Sequence, residues 1–158
     1  MKSLVFRAFE KKDIPLLEKW YEMTDIFGYA TGFKSISELE KLLENDIHDK
    51  IAWMIEDGNE TIGFIFAEIY DKEHKPVLWI YILIIESNHQ HQGYGSSAVR
   101  KLIDEVKLKY GSITCVASVS KENKQGLSFW EKVGFMRSPA LENTLDDSKN
   151  VAIFQKSF

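Results

Sequence analysis

The chain has 158 residues, 44% of them apolar and 28% charged, and a formal charge of -4 from 20 basic and 24 acidic side chains. That length fits a single domain over residues 1–158, long enough to bury about two-thirds of its unfolded surface, and a mean hydropathy of -0.24 fits an ordinary globule. Lys and Arg form no cluster dense enough to track a nucleic-acid backbone, which argues against a nucleic-acid partner. No apolar run approaches the ~20 residues that cross a bilayer, and residues 1–10 hold no signal-peptide core, so no membrane partner and a cytoplasmic location are expected. The lone Cys115 agrees with a reducing compartment.

Residues 4–9 read as a first strand, and Asp13 with Pro15 starts a helix whose apolar positions Ile14, Leu17, Trp20 and Tyr21 recur at helical spacing. Ser35 and Glu38 form a capping box before a second helical stripe of Ile36, Leu39, Leu42 and Leu43. Between these helices, residues 24–33 read as a loop rich in aromatic residues and glycine. Residues 51–56 and 61–70, joined through Asp57-Gly58-Asn59, give a hairpin signal. A strand over residues 78–85 follows, then a glycine turn and a helix beginning at Ser96, which carries Val99, Leu102, Ile103 and Val106 and ends near Gly111. A strand over residues 113–119 and a helix over residues 123–133, stopped by Gly134, precede two short strands near 135–137 and 151–155.

The glycine turn reads QHQGYG from Gln90 to Gly95. Placed between a strand and a helix, it turns backbone N–H groups toward one point at the positive end of the helix dipole, which suits a phosphate or pyrophosphate. Gly93, Gly95 and Ala98 also match the looser dinucleotide pattern G-x-G-x-x-A. That pattern requires its first glycine almost directly after a strand and an acidic residue about 20 positions on, closing the next strand. Here residues 86–92 intervene, and the next strand ends in Ser120 and Lys121. A dinucleotide-dependent oxidoreductase is therefore disfavoured.

Gln90, Gly93 and Gly95 resemble the Q/R-x-x-G-x-G/A signature of the GCN5-related N-acetyltransferase superfamily, and Asn123 followed by KQGLSFWEKVGF is similar to that family's second block. The resemblance implies an α/β (α+β) fold with a mixed central sheet flanked by helices in the order βααβββαβαββ. It also implies acetyl-CoA as cofactor and a primary amine of a small molecule or amino-acid-like compound as acceptor, attacked directly in a ternary complex by a monomer or homodimer. A peptide or protein amine, or a non-catalytic acyl-CoA-binding domain, are the alternatives.

Cofactor contacts are then expected from Gln90, His91, Gln92, Gly93, Tyr94, Gly95 and Ser96, from the backbone of Leu83 and Ile85, and from Asn123, which also caps its helix. His89 and His91 have no third ligand at zinc-site spacing, so no metal is expected. Strand alternation puts Trp79, Tyr81, Leu83 and Ile85 on one face. Trp79 stands where family members that use a strand carboxylate as base carry it, so Tyr81, Glu68 and Glu86 become the candidates. Trp130 stands where a tyrosine often protonates the leaving thiolate; an indole N–H is too weak an acid, which leaves solvent or Ser128. Phe27, Tyr29 and Phe33 are the candidate acceptor contacts.

Overall fold

The computed structural model describes residues 4–21, 28–31, 40–41, 43–44, 49–73, 75–144 and 150–158; for Tyr21, residues 28–31, Lys72 and Ser87 it describes the backbone alone. Strands β1 (Leu4–Ala8), β2 (Gly28–Thr31), β3 (Asp49–Asp57), β4 (Glu60–Lys72), β5 (Lys75–Ile85), β6 (Thr114–Ser120), β7 (Met136–Arg137) and β8 (Val151–Ser157) form one sheet. Its order is β1-β3-β4-β5-β6-β8-β7, with β2 paired to β5. Every pairing is antiparallel except β5 with β6. Helices are α1 (Ile14–Tyr21), α2 (Tyr94–Tyr110), α3 (Lys124–Lys132) and the single turn α4 (Pro139–Glu142).

The mixed sheet and most of the element order agree with the sequence reading. The hairpin closes where Asp57-Gly58-Asn59 predicts, with Asp57 opposite Glu60 and Gly58 at φ 64°. Glu10 and Asp13 cap the first helix reciprocally, and the Arg7 guanidinium holds the Asp13 carboxylate through bonds of 2.7 and 2.9 Å. That pairing keeps Asp13 ionised well below the usual carboxylate range. The predicted second helix lies largely outside the described residues; Glu40, Lys41 and Leu43 are helical.

Side chains on the two faces of the sheet build separate cores. One face packs Ile65, Ala67, Leu78, Ile80, Leu83, Ile85, Cys115 and Ala117 beneath Ala98, Leu102 and Ile103 of α2 and Trp130 of α3. The other packs Phe64, Phe66, Ile82 and Ile84 beneath Leu17 and Trp20 of α1. Cys115 is completely buried, which pushes its thiol pKa up and marks it as core.

The expectation that Trp79, Tyr81, Leu83 and Ile85 share a face is corrected by a bulge in β5. Phe66 lies opposite Ile82 and the next residue of β4, Ala67, opposite Ile80, so Tyr81 is the extra residue. An inserted residue inverts the alternation. Leu83 and Ile85 therefore join the α2-side core, whereas Tyr81 stacks on Phe66 at 6.1 Å and on Trp79 at 5.6 Å on the α1 side.

Candidate active site

Parallel pairing of β5 with β6 runs from Val77↔Thr114 to Ile80↔Ala117 and stops there. Beyond it the strands part, and the opening leads to the turn at Gln90 to Gly95. His91 at φ 63° and Gly93 at φ 84° take the left-handed conformation that makes this turn, and α2 begins at Tyr94, two residues earlier than the apolar pattern suggests. Gly95 is thus a buried residue of the first helical turn. The first N–H to close a bond is that of Ser97, donating to Gly93 O at 3.1 Å. N–H groups at the helix start before it have no partner inside the helix and point out of its positive end.

These groups face a cavity of about 550 Å3 whose walls include Gln90, His91, Gly93, Gly95, Ser96 and, from α3, Gln125 and Lys132. The Gln90 side-chain amide donates to Ile85 O at 2.8 Å and accepts from Gln125 Nε2 at 2.6 Å, which ties the turn to both β5 and α3. The Tyr94 hydroxyl points away, donating to Asp57 at 2.6 Å, so this residue contributes its backbone to the site and its side chain to the scaffold. Gln92 is exposed and donates to Asn88 O; it is not among the cavity walls. His89 lies between Glu86 at 2.7 Å and Glu60 at 3.3 Å, one carboxylate at each ring nitrogen. Glu86 is thereby occupied at the glycine turn and stands apart from Tyr81.

Sequence reasoning missed a second cavity of about 410 Å3, which shares Ser96, Lys132 and Val133 with the first and adds Arg100, Lys107 and Lys156. Four cations in a cavity that adjoins a helix N-terminus suit further phosphate groups. Their sequence signal was weak, because isolated Lys and Arg on helix faces are the ordinary surface pattern.

Asn123 is buried and accepts from Gly126 N at 2.9 Å as the cap of α3. It is not a wall of the cavity at the start of α2. Trp130 is fully buried against Phe129 and Phe135, at centroid distances of 5.0 and 4.9 Å, and is a packing residue. Ser128 is exposed on the cavity at the start of α2, on the opposite side of the sheet from Tyr81 and Glu68.

On the α1 face, the Tyr81 and Tyr70 hydroxyls are in direct contact, and Trp79 donates its indole N–H to Ser118 Oγ at 2.7 Å. Burial, reinforced by the Tyr70 hydroxyl, pushes the Tyr81 phenol pKa far up, so Tyr81 is a hydrogen-bond donor and not a base near neutral pH. Glu68 lies opposite Trp79 and is 4% exposed, and its side chain makes no hydrogen bond or ion pair with any described residue.

β2 departs from the expected loop. Its backbone pairs Gly28 with Ile84, Ala30 with Leu83 and Thr31 with Ile82, with Tyr29 at a register shift, and it also neighbours β6 and α3. The edge of β5 that Leu83 was expected to offer to the cofactor arm is therefore taken by the chain itself. Phe27 and Phe33 lie outside the described residues, and of Tyr29 only the backbone is described.

The Acetyltransferase (GNAT) family model matches residues 16–135. The chain belongs to this family. As a GNAT protein it is an N-acetyltransferase. Its fold is similar to that of an acetyltransferase from Thermus thermophilus, with 19% identity, complete coverage of both chains and a TM-score of 0.68. Arabidopsis thaliana Naa50 in complex with the bisubstrate analogue CoA-Ac-MVNAL aligns over 99% of both chains at 14% identity and TM-score 0.69. Spermidine N-acetyltransferase from Vibrio cholerae in complex with CoA and spermine aligns over 98% of this chain and 94% of its own at 22% identity and TM-score 0.63. No curated protein matches the chain. No described helix is long and apolar enough to cross a membrane.

Proposed function

We propose that this GNAT protein transfers the acetyl group of acetyl-CoA to a primary amine of a small or amino-acid-like acceptor, by direct attack in a ternary complex. The observation that carries this reading is the N-terminal turn of α2 opening onto one cavity, beside a second lined by Arg100, Lys107, Lys132 and Lys156. A ligand with several phosphates fits that donor set. When bound, acetyl-CoA would supply an activated acyl group: the neutral amine nitrogen forms a bond to the acyl carbon, the carbon–sulfur bond breaks, and the nitrogen, which has already given up one proton from its ammonium form, loses a second as the amide forms.

The chain's own part is to position and to move that proton. An alkyl amine with a pKa near about 10.4 is mostly protonated at neutral pH and must become neutral to attack. Glu68 is the carboxylate placed beside the Tyr70–Tyr81 pair, and it takes the proton through water. Tyr81, fixed as a donor, orients that water or the acyl oxygen. Trp130 is buried and takes no part in proton transfer, so the thiolate leaves with a proton from solvent.

Calorimetric titration with acetyl-CoA, followed by an amine panel read by thiol release, tests the assignment. Binding with amine-dependent thiol release is expected. Binding with no acceptor turned over would favour a non-catalytic acyl-CoA-binding domain.

A further inference from the structure

Below the point where β5 and β6 part, the sheet face turned away from α2 opens into a groove of about 720 Å3. Leu78, Ile80, Cys115 and Ala117 point into the core under α2, so the alternate residues Val77, Trp79, Thr114 and Val116 stand on this opposite face. Leu141 of α4 and Phe158 add further apolar wall. Among the described residues no side-chain carboxylate lines the groove, and its one charged side chain is that of Lys75.

The groove leads directly to the proton-handling groups. Tyr70 is one of its walls and touches the Tyr81 hydroxyl, while Trp79, another wall, stacks on the Tyr81 ring with an 11° interplanar angle. An amine held at that end meets aromatic faces, which attract cations, and lies toward Glu68. From Trp79 the groove runs along β5 to Lys75, four residues or about 13 Å at strand rise. Whatever the amine is attached to must lie along that apolar stretch.

A polyamine fits poorly, because its second ammonium would be taken from water to described walls that hold no side-chain carboxylate and would then approach Lys75. We therefore propose that the acceptor is a primary amine borne on an aromatic or branched aliphatic body, seated between Val77, Trp79, Val116 and Leu141. This substrate class rests on the acetyl-transfer reading above. It separates the chain from the spermidine N-acetyltransferases whose fold it shares.

Two measurements test it on the intact protein. In the first, acetyl-CoA is fixed at saturation and initial rates are compared for 2-phenylethylamine, isopentylamine, ethanolamine and spermidine. The two apolar amines should exceed spermidine and ethanolamine in kcat/KM by about tenfold or more, the scale on which an apolar pocket discriminates. Val77→Asp should raise KM for 2-phenylethylamine by a similar factor, narrow its advantage over spermidine and leave acetyl-CoA affinity unchanged; Leu141→Ser serves if that variant does not fold. Preference for spermidine, or an unaltered KM in the folded groove variant, overturns the substrate class while leaving acetyl transfer standing. In the second, 2-phenylethylamine is titrated into the protein without acetyl-CoA, and methyl resonances of Val77, Val116 and Leu141 are followed. Saturable shifts there are expected whether or not turnover is seen. Their absence at millimolar ligand overturns the groove assignment independently of any failure of catalysis.

Discussion

The two ends of this site are built from different materials. At the proposed phosphate end the groups on offer are backbone N–H donors of α2, fixed by a turn with left-handed residues at His91 and Gly93. At the proposed acyl-transfer end they are side chains of two strands, Glu68, Tyr70, Trp79 and Tyr81, which the pairing of β4 with β5 sets on one face of the sheet. A backbone site depends on local geometry and tolerates change in most side chains. A side-chain site built across two strands depends on particular residues and fails when one of them is replaced.

The sharpest test of the first half is Gly95→Asp. Gly95 lies in the first turn of α2, where an acidic residue is compatible with the helix dipole, so the helix itself should survive. The new carboxylate would stand at the N–H groups proposed to hold a phosphate. Acetyl-CoA affinity should fall by about a hundredfold, roughly 2.7 kcal/mol, with an unchanged circular dichroism spectrum. Calorimetry giving a wild-type Kd would remove the phosphate cradle.

On the other half, Tyr81→Phe and Glu68→Gln should each lower kcat by about tenfold or more, near 1.4 kcal/mol of barrier, with acetyl-CoA affinity nearly unchanged. The pH profile separates their roles. Because burial holds the Tyr81 phenol pKa above its ordinary value of 10.0, Tyr81 stays protonated as pH rises and its hydrogen bond persists. The wild-type rate should then climb with pH toward the pKa of the amine, without a fall caused by Tyr81 ionisation. Equal kcat in wild type and Tyr81→Phe would return this residue to packing.

The halves meet at β2, which pairs with the β5 edge between Ile82 and Ile84. A cofactor arm that uses the same edge has to displace it. Saturating acetyl-CoA should therefore speed amide hydrogen exchange over residues 28–31, while exchange in the first turn of α2 slows. Slower exchange in both places would show that β2 stays in position and that the arm takes another path.

This contrast also explains what the sequence could reveal. The glycine turn, its flanking strand and helix, and the Asn123 cap were legible because each is a short-range pattern with a local cause. Both hairpin strands were legible for the same reason. The bulge at Tyr81 was not, since nothing within residues 78–85 marks an extra residue; the mismatch exists only between β4 and β5. Without it, alternation assigns Leu83 and Ile85 to the face of Trp79 and Tyr81. β2 was hidden because Gly28–Thr31 is four residues long and owes its conformation to pairing with β5. Lys132 and Lys156 converge only through the packing of α3 and β8 against α2.

Lys132 offers a smaller test of the phosphate end. It is exposed and lines both phosphate-side cavities, so Lys132→Ala should weaken acetyl-CoA binding by only about threefold to tenfold, in line with roughly 1 kcal/mol for a solvated charge contact. The loss should shrink as salt is raised, because screening already weakens such contacts in the wild type. An effect as large as that of Gly95→Asp would mean that this side chain, and not the backbone, dominates phosphate binding.

The smallest catalytic effect should come from Trp130→Phe. Trp130 lies on the α2 side of the sheet, fully buried between Phe129 and Phe135, whereas Glu68, Tyr70 and Tyr81 occupy the α1 side. An indole has no proton to give at neutral pH, and a buried one cannot reach solvent to relay one. Exchanging it for a smaller ring leaves a space in the core, costing about 1–3 kcal/mol of stability, visible as a lower urea midpoint. Turnover should stay within about tenfold of wild type where the variant remains folded. Trp130→Tyr separates packing from chemistry: a rise in kcat with it alone would place this position within reach of the leaving thiolate and shift part of the proton handling to the α2 side. Equal kcat in both variants keeps proton transfer with Glu68 and Tyr81, across the sheet.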